Sequence, residues 1–138
     1  MDQAMTWYLT PFYQSLDDPA LRADIDRVKA ALAECQALVK DEADDVRFLE
    51  GSVRLQEELN NKLNRAYGYC SLILATDTNN EAAFRVLDEL STLMVDVQVA
   101  GSALTRRTGD IADLDARIAE SELLRANAFA LRESQEQA

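Results

Sequence analysis

Histidine is absent from this 138-residue chain. That excludes Ser-His-Asp and Cys-His nucleophile sets, the H-E-x-x-H zinc site and Cys2His2 fingers, since each needs an imidazole. Only four glycines are present, and none forms a G-x-G-x-x-G or G-x-x-x-x-G-K-[ST] loop, so the common phosphate cradles are missing. Two prolines and few clustered β-branched residues leave little to break a helix or favour a strand. The two cysteines, Cys35 and Cys70, form no CxxC and fall on apolar stripes, which predicts buried thiols. No apolar run approaches the ~18 residues that a membrane-spanning helix needs. The N-terminus lacks the basic and apolar regions of a signal peptide, so a cytoplasmic location is expected.

Positive charge is also short. Lys and Arg number 14 against 25 Asp and Glu, giving a net charge of −11. Such a surface repels phosphate backbones and anionic lipid, so neither nucleic acid nor membrane is an expected partner. The remaining catalytic option is a cluster of carboxylates. Acids scattered over helix surfaces do not specify one, and the Glu-x-x-His pairs of di-iron bundles are missing.

What is present is helical periodicity in a chain that is 48% hydrophobic and rich in Leu. The length fits one domain, residues 1–138. Asp18 is a natural N-cap and Pro19 suits the first helical position, where a missing N–H costs nothing. Leu21, Ile25, Val28, Leu32, Cys35 and Val39 then recur at steps of four and three, which predicts a helix over about 19–40. A second helix, about 43–75, carries Phe48, Leu55, Leu59, Leu63, Ala66, Cys70 and Ile73. Gly51 and Gly68 interrupt it, and close approach of another helix is the expected reason at Gly68.

Thr78 and Glu81 have capping-box spacing and predict a third helix over about 79–106. Its inward residues are expected to be Phe84, Leu87, Leu90, Met94, Val97, Gly101 and Leu104. Gly109 is the expected C-cap, and Asp110 the cap of a fourth helix over 110–119. Ser121 is expected to cap a last helical stretch with Leu124, Ala128 and Leu131 on one side. The expected fold is all-α: an antiparallel up-down bundle of four to five helices over 18–132, with a frayed polar tail at 133–138. The apolar faces are wider than a strict coiled-coil seam, which favours a closed core.

Residues 1–17 stand apart. The stretch TWYLTPFYQS holds the only Trp, and Pro11 discourages helix at Thr10, so an extended entry strap is expected. Packing over the bundle end is the plain role for it. Trp7, Tyr8, Phe12 and Tyr13 are the candidates for an interdomain or peptide-facing surface, with Phe129 a further aromatic for an exposed patch.

Three segments in order carry a family resemblance: WYLTPFYQSLDDPALRADIDRVKAAL, LNRAYGYCSLILATDTNNEAAFRVLDEL and IAESELLRANAFAL. Together they resemble the N-terminal helical domain of the oligoendopeptidase F family of zinc metallopeptidases. The likeness spans nearly the whole chain and is loosest over ALTRRTGDIADL. It implies a non-catalytic domain that packs in cis on a peptidase catalytic domain and helps wall the cavity where oligopeptides are cut. Zinc, H-E-x-x-H and a further glutamate belong to that other domain. No position here matches a zinc ligand or the catalytic glutamate, so no enzyme activity, no cofactor and no catalytic or metal-binding residue is expected of this chain. The alternative expectation is a stand-alone interaction module that forms a homodimer.

Overall fold

The computed structural model describes Tyr13 and residues 15–138. Trp7, Tyr8 and Phe12, and the strap they belong to, lie outside the described residues. The fold is all-α. Six helices occur among the described residues: α1 (Pro19–Asp41), α2 (Asp45–Thr76), α3 (Glu81–Gly109), α4 (Leu114–Ala119), α5 (Glu122–Ala126) and α6 (Ala128–Gln137). None of them is long and apolar enough to cross a membrane.

The start of α1 forms as its residues dictate. Asp18 is extended, its carboxylate accepts from the Ala20 N–H at 2.9 Å, and Pro19 opens the helix. The buried side chains of α1 are Leu21, Ile25, Val28, Ala31 and Cys35. Leu32 and Val39 are only partly buried and line the margin of the same face. Asp44 caps α2 by accepting from the Arg47 N–H. The cap of α3 is Asn80, whose side chain accepts from the Ala83 N–H at 3.0 Å. This corrects the capping box: Glu81 is already the first helical residue, which leaves Thr78 in the turn.

Contacts across the long helices fix their directions. Asp24 meets Lys62, Arg27 meets Glu58, and Leu38 lies against Gly51, so α2 runs opposite to α1. Arg22 meets Glu89, and Arg107 reaches the Val39 carbonyl, so α3 runs with α1. The three long helices pack on one another pairwise. Phe48, Leu49, Leu59, Leu90 and Leu104 are among the fully buried side chains between them. Each such burial stabilises by about 1.5–3 kcal/mol before entropy is counted.

The short helices close the end where α3 finishes. Ser121 caps α5 as expected, accepting from the Leu124 N–H, and its hydroxyl donates to Glu50 at 2.6 Å. The helix α6 lies along the end of α3, with Gln135 donating to the Thr108 and Ile111 carbonyls. These bonds carry the helix to Gln137, where a polar composition alone predicts fraying. The six helices exceed the expected four to five because the last stretch breaks at Asn127, whose amide donates back to the Leu123 carbonyl.

The turn after α3 also differs from expectation. Gly109 is the last helical residue and does not take a positive φ. Its lack of a side chain is a matter of space, since a Cβ there would collide with the Cβ of Ala138. The left-handed residue is Asp113, at φ 52°, and the fourth helix starts after it rather than at Asp110. Aspartate tolerates this region better than most residues.

The close approach expected at Gly68 is found at Gly51. A Cβ on Gly51 would meet Leu38 Cδ1 at 2.9 Å, so the close approach is there. A Cβ on Gly68 would meet nothing within 4 Å. The entropic cost of that mid-helix glycine is therefore uncompensated by packing. Gly68→Ala is expected to raise the unfolding free energy by about 0.5–1 kcal/mol, seen as a higher denaturant midpoint at unchanged slope.

Candidate functional site

Of the four aromatics read from the sequence as an interdomain or peptide-facing surface, only Tyr13 is described, and it is not on the surface. Its side chain is 2% exposed. The ring stands edge-on to Tyr69, with centroids 5.2 Å apart and planes at 78°. Its hydroxyl donates to Asp24 at 2.6 Å, and Asp24 also takes Lys62 at 3.2 Å. Burial, and then the Asp24 hydrogen bond, raise the Tyr13 pKa, so the phenol stays neutral. An amphipathic ring with its polar tip satisfied gains more from the core than from water. Tyr13 is thus an anchor that ties the segment before α1 to α1 and α2.

Charged side chains line the α1–α2 edge, and cations already hold the acids. Arg27 forks Glu58 through Nε and an Nη at 2.7 and 2.6 Å, and also reaches Glu34 at 2.7 Å. The Arg27 contact lowers the Glu58 pKa against an opposing effect of burial. Across the α1–α3 edge, Arg22 and Lys29 both bind Glu89, and the Arg22 hydrogen bonds lead in bringing its carboxyl down to about 2. Glu58 and Glu89 are stabilised as anions and are poorly suited to proton transfer near neutral pH. An open cleft at Glu58 is lined further by Arg54, Glu57, Asn61, Lys62 and Arg65. Among the described residues, no three His, Cys, Asp or Glu converge to hold a metal ion.

The cysteines are free and buried, Cys35 at 1% and Cys70 at 0% exposure. Desolvation raises both thiol pKa values, that of Cys70 to about 11. Reactive cysteines require the opposite shift.

The feature that the core does not explain is the outer face of α3. Glu81, Arg85, Asp88, Thr92, Val95, Val99, Ser102 and Arg106 follow one another at alternating steps of four and three, and every one is exposed. Val95 is 58% and Val99 66% exposed. Phe84, at 53%, flanks this stripe, and Met94 is 37% exposed. Both were expected to point inward. The buried side of α3 keeps Leu90 and Leu104 as expected and adds Ala83, Leu93 and Thr108. Further apolar exposure comes from Phe129 on α6, the further aromatic offered for an exposed patch, at 76%. The sequence signal for the outer face is a valine pair four residues apart that the inward seam does not use.

No protein-family model, curated protein or solved structure matches this chain.

Proposed function

We propose that this chain is a non-catalytic helical docking domain, whose role is to present a packed surface to another protein. The observation that supports this reading is the outer face of α3, where Val95 and Val99 stand in water on a continuous heptad-spaced stripe. β-branched residues are weak helix formers, and an exposed apolar pair on a helix gains its stabilisation only when a partner covers it. Two unpaired buried thiols fit a reducing compartment such as the cytoplasm.

The sequence resemblance supplies one partner: the catalytic domain of an oligoendopeptidase F-type zinc peptidase, packed in cis, with this domain walling the peptide cavity. In that arrangement zinc and the general base reside entirely in the partner. The homodimer is the second reading, and the charge pattern along α3 favours it specifically. The test of the non-catalytic role is an oligopeptide hydrolysis assay on the purified chain, with and without added zinc. The expected result is no turnover above the blank. Hydrolysis that co-elutes with the chain through two chromatographic steps and vanishes with a chelator would overturn it.

A further inference from the structure

We propose that α3 pairs with the α3 of a second copy of this chain, antiparallel and centred on Val97. The proposal rests on the docking reading above and names its occupant. The exposed stripe is nearly self-complementary about that centre. Val95 falls opposite Val99 of the second copy, Thr92 opposite Ser102, and Asp88 opposite Arg106. Two-fold symmetry repeats each pairing, so four valines form the middle and two Asp–Arg pairs close the ends. The alternation of three and four is the spacing that keeps a seam facing a partner helix along its length.

Charge argues for this register. Among the described residues, neither Asp88 nor Arg106 has a side-chain ion pair within the chain. Glu89, one position away, is held by Arg22 and Lys29 on the opposite flank. Sliding the partner by one heptad step, so that Glu81 meets Arg106, sets Asp88 against Val99 and separates the valine pairs. Only the Val97-centred register satisfies apolar and charged positions together. The small hydroxyl residues Thr92 and Ser102 stand between the valines and the charges, and leave room for close helix approach.

Sedimentation equilibrium on the whole chain, from about ten micromolar to about one millimolar, tests this together with four variants, each checked for unchanged helicity. The wild-type chain is expected to show a reversible monomer–dimer equilibrium. Asp88→Arg and Arg106→Asp should each weaken it roughly tenfold or more, because each reversal places two like-charge contacts in the symmetric interface. The double variant Asp88→Arg with Arg106→Asp should regain wild-type association, and Val99→Glu should abolish it. A strict monomer over the whole range leaves the face to a different protein and overturns this proposal, while the docking reading stands. A dimer indifferent to Val99→Glu, or singles not rescued by the double variant, also overturns it. Peptide hydrolysis by the chain would instead strike at the docking reading itself.

Discussion

Phe48→Ala is expected to lower the unfolding free energy by about 3–5 kcal/mol, against the roughly 5–15 kcal/mol that a domain commonly has. Phe48 is 0% exposed and lies in the first turns of α2, where the far end of α3 passes. The guanidinium carbon of Arg107 sits 4.3 Å above its ring centroid. Removing the ring takes away a large buried apolar surface, opens a cavity, and strips the apolar floor from beneath a cation. Denaturant unfolding checks it. A loss under 1 kcal/mol would mean that the three-helix junction collapses freely around the cavity, against the packing described here. Phe48→Leu keeps most of the volume and should lose less.

Arg107→Met is expected to cost about 2–3 kcal/mol, although nearly the same length of apolar stem remains. Arg107 donates to the Val39 carbonyl at 3.0 Å and the Glu42 carbonyl at 2.6 Å, with Asp45 at 3.9 Å. Val39 is in the last turn of α1, and Glu42 is its C-cap. A side chain of α3 therefore caps α1, placing a cation where the helix dipole is negative. Methionine keeps apolar cover over Phe48 but removes every donor and the cation, so the loss measures the two carbonyls left without a partner together with the cation–π contact. Arg107→Lys should recover only part of it, because a single ammonium cannot reproduce the planar fork. The Phe48 and Arg107 effects should fall short of additive in the double variant, since each removes half of the same contact.

The parts of the fold legible in the sequence are those that local chemistry decides. Asp18 and Pro19 announce α1, and the recurring Leu21, Ile25, Val28 and Cys35 place its buried face. The turn before α2 and the Ser121 cap are readable for the same reason. The buried face of α3 was less legible because apolar residues lie almost all round it. Phe84 and Met94 are stronger hydrophobes than Ala83, yet Ala83 is the one fully buried and both of them are exposed. The last three helices depend on distant partners, such as Glu50 for Ser121 and Thr108 for Gln135. No periodicity within residues 110–138 displays those partners.

The candidate site was legible only in outline. Aromatic content drew attention to Tyr13, and the structure makes that residue an anchor. Two ordinary valines carry the exposed stripe instead, and their significance depends on which side of α3 faces the core. Composition cannot reveal that side when both sides contain apolar residues. Phe129, offered from the sequence for an exposed patch, is exposed on α6.

The two buried thiols have a kinetic consequence. Cys35 lies towards the end of the α1–α2 seam where Leu38 meets Gly51, and Cys70 towards the end where Tyr13 meets Tyr69. Both sulfurs are shut from water and held protonated, so an alkylating reagent must wait for the helices to separate. The chain thus carries a native clock at each end of its main seam, and none in α4, α5 or α6. If the bundle breathes as one unit, the two sulfurs are modified in step. If it unzips from one end, the order in which they gain mass records the direction, without any introduced label.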